Sequence, residues 1–532
     1  MAGILLVDSK KEISMTFPWW NDEHIQLALD VEEFVNRKFL ENDEAIWKRE
    51  IPKTIIKDTA KKGWFGAFIP KDYGGLGLGV TGASIVSEGL SRLSYAADVC
   101  PAVTVFGGTR QVLQYGNEKQ RERFLPKIAR GEMIGAIVIT EPYAGSDAAN
   151  IGLTAQREGD GYILNGKKRF ISNAGIADMY MVYAKTSDKQ EDRAKYKHLS
   201  GFLVEANKSG PQVERTNELC GYDSSFNGVL DFNDVRVPAE NRINEEGDGW
   251  RIMVAGLNVE RTLGSAGFLG PMRESIRYVM WHTQRRVQFN QPVSEFQNTQ
   301  FKIADMIMKY KTSRLMTYYT AYLLDQGRTD LAPIEAAISK SFNSEALQEI
   351  SENAIQLMGG DGCTKFYPIE RHWRQSRITS IFVGTNEILK LLAYKTAKRL
   401  MSEEFKPPRR CVHEELQVPV DRGTLKQPMV SKFSSDDKKD KILELLAEYY
   451  RVNPGLFMSI EELEDEIGDK DGILETIKAL ENEKLIKTYS DRKGLRLIRP
   501  TFDGLKKARP LEYYRWHPDW IKNSEDSFKL TF

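Results

Sequence analysis

The sequence has few cysteines, no excess of charge of either sign and no long apolar run. Cys100, Cys220, Cys363 and Cys411 are scattered, without a CxxC pair or paired histidine spacing, which argues against a zinc site and a disulfide framework. The 75 basic side chains equal the 75 acidic ones, so no overall field attracts nucleic acid. No window approaches the roughly 20 apolar residues of a membrane span, and the N-terminus lacks the features of a signal peptide. We therefore expect a cytoplasmic protein with no metal site and no membrane span.

The spacing of apolar residues predicts three domains in the first 400 of the 532 residues. Residues 1–130 and 244–400 have apolar residues three or four positions apart, which is typical of amphipathic helices. Residues 131–243 instead hold short apolar runs bounded by Gly, Asn and Asp, which favour strands and hairpins. The predicted order is an N-terminal α-helical domain, a middle β domain and an α-helical bundle.

The composition changes again after residue 400. Residues 401–436 are rich in charge, Pro and Ser and are predicted to be a linker. Residues 437–508 contain three helical segments and two strands around a turn at Asp491–Gly494, a pattern that resembles a winged helix-turn-helix. Residues 509–532 form an aromatic tail that is too short to fold alone.

The charge of this C-terminal segment bears on whether it binds DNA. Residues 436–508 contain 17 acidic and 14 basic side chains by count. Basic residues cluster only in the predicted wing, at Arg492, Lys493, Arg496 and Arg499. Because DNA affinity depends on clustered Lys and Arg at the phosphates, we favour protein contact, oligomerisation or regulation, and DNA binding is the alternative.

Three motifs occur in order along the first 400 residues: ITEPYAGSD (139–147), GLNVERTLG (256–264) and QLMGGDG (356–362). With them the chain resembles the acyl-CoA dehydrogenases, flavoproteins that take two hydrogens from carbons α and β of a CoA thioester. The resemblance covers about residues 25–400. It implies a mainly α fold with a central β-barrel, FAD as cofactor, an acyl-CoA substrate, an electron-transferring flavoprotein as electron acceptor, and a homotetramer or homodimer.

The resemblance also implies two groups of flavin contacts. The group at the flavin ring comprises Ile137, Thr140, Ser146, Phe170 and Ser172, with Ser146 between the flavin and acyl-CoA. Phe170 replaces the usual stacking tryptophan, and Ser172 replaces a threonine near N5. The group that serves the flavin of a neighbouring subunit or closes over it comprises Arg286, Gln288, Gln297, Gln356, Gly360, Thr385 and Glu387. Taken singly, Arg286 also fits a surface salt bridge and Gln356 a helix surface.

The position of the usual catalytic base departs from the family pattern. Most relatives carry a glutamate where this chain reads Val383, before Gly384 and Thr385. Valine cannot take a proton, but its backbone N–H can still donate to the thioester oxygen. Glu260, directly before Arg261, stands where relatives that resemble isovaleryl-CoA and long-chain dehydrogenases carry their base. The alternative is that Glu260 makes an exposed ion pair with a nearby arginine.

These residues predict α,β-dehydrogenation to a trans-2-enoyl-CoA, with Glu260 as base and hydride transfer to flavin N5. Asn258 and Arg261 are expected to face the CoA chain. One alternative is a flavoprotein on the same scaffold that has lost dehydrogenation at Val383 and binds DNA or regulates through its C-terminal domain. Another is an enzyme that decarboxylates its substrate or reduces an enoyl-CoA. The acyl group cannot be read from the sequence.

Overall fold

The chain divides into two compact units, residues 1–402 and 403–532. The computed structural model describes residues 17–41, 53–206, 209–222, 225–400, 437–452, 457–468, 472–490 and 496–514. The predicted linker, the turn at Asp491–Gly494 and the predicted tail beyond residue 514 lie outside the described residues. No helix in the described ranges is long and apolar enough to cross a membrane.

The N-terminal part of the first unit is helical, as predicted. Its helices are α1 (Asp22–Glu41), α2 (Lys53–Lys61), α3 (Gly79–Leu93), α4 (Tyr95–Thr104), α5 (Arg110–Tyr115) and α6 (Glu118–Ala129). Local capping fixes where two of them begin. The Ser94 side chain accepts from the first backbone N–H groups of α4, and Asn117 forms a capping box with Gln120 at the start of α6.

The middle part is a sheet, as predicted. Its strands are β1 (Gly135–Val138), β2 (Thr154–Glu158), β3 (Gly161–Ser172), β4 (Met179–Lys185), β5 (Leu199–Glu205), β6 (Gln212–Thr216), β7 (Asn227–Pro238) and β8 (Arg242–Ile243), with the short helix α7 (Gln190–Ala194) before β5. The order is β6-β7-β3-β2-β4-β5-β8, and β1 pairs with β4 in parallel.

Within the described residues no pairing joins the two ends of this sheet, so the predicted closed barrel is not confirmed. The end strand β6 is exposed along its whole length, and the other end strand, β8, has two residues. The observed architecture is an open eight-stranded sheet between two helical parts.

Helices resume after the sheet and surround the long helix α8 (Gly249–Thr283). The following elements are the hairpin β9–β10 (Val287–Gln288 and Gln291–Pro292) and the helices α9 (Gln297–Asp325), α10 (Ala332–Met358), α11 (Ile369–Thr379) and α12 (Asn386–Leu400). Helix α8 packs against α3, α9 and α10, and Val259, Leu263 and Phe268 on it lie in the main hydrophobic core. The central position of α8 makes it the scaffold of the site described below.

A buried ion pair joins α3 to α9 inside this core. Arg314 Nε donates to Glu88 Oε1 at 2.9 Å, and the hydroxyl groups of Tyr310 and Tyr318 donate to the same carboxylate. Burial alone would raise the pKa of Glu88, but the Arg314 charge and the Tyr318 hydrogen bond hold it below its usual value. The carboxylate is therefore charged at neutral pH and depends on its partners.

We expect Arg314→Met to destabilise the first unit by about 3–5 kcal/mol, because it leaves the Glu88 charge buried without its cation. Arg328→Met is the matched control, since Arg328 pairs with Asp330 at the surface and exposed pairs contribute only about 0–1 kcal/mol. Urea unfolding at pH 7, followed by far-ultraviolet circular dichroism, measures both losses. Equal losses in the two variants would contradict the assignment.

The second unit has its own hydrophobic core. Its elements are α13 (Lys438–Val452), β11 (Met458–Ser459), α14 (Ile460–Ile467), α15 (Ile473–Asn482), β12 (Ile486–Ser490), β13 (Arg496–Pro500) and α16 (Phe502–Ala508). The strands form an antiparallel sheet in the order β11-β13-β12. The three predicted helices and the two predicted strands are present, and the winged-helix assignment stays a prediction.

Candidate active site

Glu260 lies in the middle of α8, whose predicted start near Asp248 is confirmed by the N-cap at that residue. The side chain is partly buried, and its Oε2 atom is shielded from solvent and has no hydrogen-bond partner among the described residues. Burial raises the pKa of Glu260 to about 7, and the charge of Arg261 opposes this increase. This is not the environment of an exposed ion pair, and it suits a group that exchanges a proton near neutral pH.

The turn that contains Val383 lies against the same helix. Between α11 and α12 the backbone adopts positive φ at Val383 (60°) and Gly384 (93°). A β carbon at Gly384 would lie 3.9 Å from Arg261 Nη2, and one at Gly264 would lie 3.9 Å from the Phe382 ring. Positive φ is strained for a β-branched residue and is typical of functional sites. The structure thus brings the Val383 turn next to the residues that follow Glu260.

Lys340 was not identified from the sequence, yet it holds this turn. Its Nζ atom donates to the Gly384 carbonyl oxygen at 2.9 Å and to Asn386 Oδ1 at 3.1 Å. Burial and, to a lesser extent, the charge of Arg261 lower the pKa of Lys340 to about 7. A lysine within the small-residue segment 336–346 of α10 was the signal available in the sequence, because such a segment packs closely against its neighbours.

Arg261 and Asn258 form a pair on α8. Arg261 Nη1 donates to Asn258 Oδ1 at 3.2 Å, while its Nε atom is buried and has no acceptor among the described residues. Burial lowers the pKa of Arg261 to about 10, against the opposing charge of Glu260. The structure brings together the two residues that were predicted to face the CoA chain, and that role stays a prediction.

The predicted ring contacts meet where β1 and β3 end. Arg169 N donates to the Thr140 carbonyl oxygen at 2.8 Å, and Lys168 Nζ donates to the Ile139 carbonyl oxygen at 2.8 Å. These bonds place Ile137 and Thr140 beside Phe170 and Ser172, whereas Ser146 lies in the exposed loop after β1. Phe170 has φ 59° and leaves 48% of its surface exposed. An aromatic ring and two partly exposed hydroxyl groups therefore line one edge of the sheet.

The second predicted group lies on the C-terminal helices. Arg286 and Gln288 are exposed on the β9–β10 hairpin, Gln297 begins α9, and Gln356 and Gly360 are exposed at the end of α10. His282 Nδ1 lies 3.9 Å from Asp361 Oδ2, which brings the start of the hairpin beside the end of α10. Thr385 and Glu387 lie at the start of α12. The pKa of Glu387 is lowered by a hydrogen bond from its own backbone N–H and by Thr385.

These residue types fit FAD. The half-exposed Phe170 ring can stack on the flavin ring, and the Thr140 and Ser172 hydroxyls can bind the polar edge of the flavin. The exposed Arg286 and the N-terminus of a nearby helix can bind the pyrophosphate. Because Arg286 and the residues around it lie on other elements than Phe170, the two groups are consistent with contacts to different flavins. That cross-subunit arrangement stays a prediction.

Comparison with known proteins decides the family. Family models described as the acyl-CoA dehydrogenase N-terminal, middle and C-terminal domains match residues 21–132, 136–235 and 247–398. A Bacillus subtilis (strain 168) protein named acyl-CoA dehydrogenase is 34% identical over 374 residues, 70% of this chain and 97% of that protein. The chain belongs to the acyl-CoA dehydrogenase family.

Solved structures of this family agree with the fold. Butyryl-CoA dehydrogenase from Megasphaera elsdenii has a TM-score of 0.68 at 30% identity, over 72% of this chain and 99% of that one. A structure described as an FAD-dependent dehydrogenase has a TM-score of 0.65 at 28% identity, over 73% of this chain and 99% of that one. The protein is thus an FAD-dependent oxidoreductase of the acyl-CoA dehydrogenase family.

Proposed function

We propose that this acyl-CoA dehydrogenase family member converts a saturated acyl-CoA into a trans-2-enoyl-CoA with Glu260 as the base. The observation that carries the proposal is the Glu260 carboxylate, whose Oε2 atom is shielded from solvent and has no hydrogen-bond partner among the described residues, on the stretch of α8 that contacts the Val383 turn through Arg261 and Gly264. A structural glutamate in the same helix would be expected to have partners. A base needs a carboxylate whose pKa lies near the working pH.

Each neighbouring residue has a defined task in this reaction. Glu260 takes the proton from carbon α, and the backbone N–H of Val383 donates to the thioester oxygen as negative charge develops there. Arg261 and Asn258 hold the CoA chain alongside α8. When bound, FAD supplies the acceptor for the hydride that leaves carbon β. Lys340 keeps the Val383 turn in place through the Gly384 carbonyl oxygen.

Apolar side chains on the C-terminal helices support a homo-oligomer. Phe301, Met308 and Leu315 recur every seven residues along α9, so they lie on one face of the helix, and they are 60%, 65% and 53% exposed. Such a stripe favours burial against another protein surface. We propose a homodimer or homotetramer in the cytoplasm, with an electron-transferring flavoprotein as electron acceptor.

Anaerobic titration of the FAD-loaded protein with saturated acyl-CoAs tests the proposed reaction. Loss of the flavin absorbance with one class of acyl-CoA, together with release of the matching enoyl-CoA, is the expected result. An unchanged spectrum across straight, branched and polar acyl groups would overturn it and would make Val383 the mark of a lost activity.

We expect Lys340→Met to slow flavin reduction by about 10- to 100-fold, because the Gly384 carbonyl loses its donor and the reacting thioester is held less accurately. Lys390→Met is the matched control, since Lys390 is an exposed lysine paired with Glu345. Anaerobic stopped-flow absorbance measures both rates at saturating acyl-CoA. A rate for Lys340→Met that equals the control would exclude a positioning role.

A further inference from the structure

A second carboxylate lies on the same side of α8 as Glu260. Asp98 on α4 is 1% exposed, and its Oδ1 atom has no hydrogen-bond partner among the described residues. Its other oxygen packs so closely on α8 that a β carbon at Gly267 would collide with it. The Ser87 hydroxyl on α3 hydrogen-bonds to this carboxyl group and lowers its pKa, and no described Lys, Arg or His pairs with it. Because its Oδ1 atom is buried without a partner, the group still has an unmet demand for a donor.

The position of Asp98 places it along the path of an acyl chain. Glu260, Gly264 and Gly267 follow one another at four- and three-residue spacing, so they lie on one face of α8. Seven residues of helix span about 10 Å. A β carbon at Gly264 would only touch the Phe382 ring, at 3.9 Å, whereas Asp98 and Tyr95 already lie against Gly267. An extended chain with its α carbon at Glu260 therefore has its far end near Asp98.

Three aromatic rings pack together near the two carboxylates. The ring centroids of Tyr95 and Tyr222 are 4.3 Å apart, and Phe382, next to Val383, lies 6.1 Å from Tyr95 and 6.2 Å from Tyr222. The pKa of Tyr95 is raised by burial first and then by the charges of Asp98 and Glu260. Tyr95 thus lies within electrostatic reach of both carboxylates.

We propose that Asp98 determines acyl specificity, and that the preferred acyl group carries an amine at its far end that binds the Asp98 carboxylate. This inference rests on the proposed dehydrogenase function. An ammonium group supplies both the donor and the charge that Asp98 lacks. A plain alkyl end would leave the carboxyl group buried without a partner. The aromatic residues around the chain exclude water and strengthen the ion pair.

Binding of non-reactive ligands tests the proposal without relying on turnover. The probes are S-(6-aminohexyl)-CoA and S-heptyl-CoA, thioethers of matched length that cannot be dehydrogenated. Isothermal titration calorimetry of the FAD-loaded wild type should show roughly ten- to hundredfold tighter binding of the amine. Burial raises the pKa of Asp98 to about 8, so at pH 7 the amine should release about one proton on binding and the heptyl ligand none.

Asp98→Asn should reduce the amine-over-heptyl preference by roughly ten- to hundredfold and abolish the proton release. Asp325→Asn is the matched control, because Asp325 is another acid whose pKa is raised by burial, but its carboxylate caps α3. The ratio of kcat/KM for 6-aminohexanoyl-CoA over heptanoyl-CoA should fall in parallel in Asp98→Asn. If that variant does not fold, the wild-type preference and proton release still decide.

The outcomes separate this inference from the proposed function. If heptanoyl-CoA bleaches the flavin but the amine is not preferred, the assignment of Asp98 is wrong and the dehydrogenase stands. If Asp98→Asn keeps the preference of the wild type, the assignment is likewise wrong. If no thioester bleaches the flavin, the proposed function fails and this inference fails with it.

Discussion

Glu260→Gln is expected to slow the bleaching of the flavin by acyl-CoA by about 10²- to 10⁴-fold, the contribution typical of a positioned general base. The amide keeps the volume and polarity of the side chain but cannot take the α proton. Acyl-CoA should still bind, because the proposed thioester contact comes from the Val383 backbone and the proposed CoA contacts come from Arg261 and Asn258. Anaerobic stopped-flow absorbance at saturating acyl-CoA separates the loss of rate from any loss of affinity.

The pH dependence of flavin reduction in the wild type also tests Glu260 as the base. Because the pKa of Glu260 is raised to about 7, the rate of flavin reduction should increase as pH rises through 7 and level off above it. Glu349→Gln, a change at an exposed glutamate paired with Lys309, is the matched control and should keep both the rate and the pH profile. A wild-type rate that is flat from pH 6 to 8, or a Glu260→Gln rate close to the control, would contradict the assignment of the base.

Glu260→Gln should also stabilise the protein above neutral pH. The folded pKa of Glu260, about 7, exceeds its ordinary value of 4.5, so the folded state binds more protons than the unfolded state between these values. The stability that this group contributes is present below 4.5 and is lost as pH rises towards 7. At pH 8 we expect Glu260→Gln to exceed the wild type by on the order of 1–3 kcal/mol, and at pH 4.5 the two should be equal. Urea unfolding at both pH values measures this difference.

The sequence predicted the helix–sheet–helix order because each part has one clear apolar period, and it predicted Glu260 because Val383 left the family reaction without a base. It did not predict the open sheet, because closure depends on the pairing of β6 and β8, two short end strands whose contacts are set by the rest of the fold. Lys340 and Asp98 were also not identified. Their importance comes from burial beside residues distant in the chain, at the Gly384 carbonyl oxygen and at Gly267. The small residues around Lys340 indicate close packing, but no local pattern shows which groups these two side chains contact.

The predicted cross-subunit flavin contacts were not assigned by the structure for a different reason. The residues concerned are exposed, at the β9–β10 hairpin (Arg286 and Gln288) and at the end of α10 (Gln356 and Gly360). A contact to another subunit requires such exposure, but an ordinary surface residue shows it too. Exposure in one chain therefore cannot separate these two interpretations. Glu260 differs from them, because it is partly buried and its Oε2 atom has no hydrogen-bond partner among the described residues. This environment favours the proposed catalytic role over a surface role.

Moving the base to the turn should restore activity to the Glu260→Gln variant. In Glu260→Gln/Val383→Glu the carboxylate returns at the position where most relatives carry it, and the turn already has the positive φ of 60°. The new side chain would start next to Gly384, whose surroundings include Arg261. We expect the double variant to bleach its flavin at least about tenfold faster than Glu260→Gln, because a positioned carboxylate is again within reach of carbon α.

Glu260→Gln/Val383→Gln, which has the same size but no base, is the matched control, and stopped-flow absorbance compares the two. Equal rates in two folded, FAD-loaded double variants would show that the turn does not face carbon α, and would remove the assignment of the Val383 N–H to the thioester oxygen.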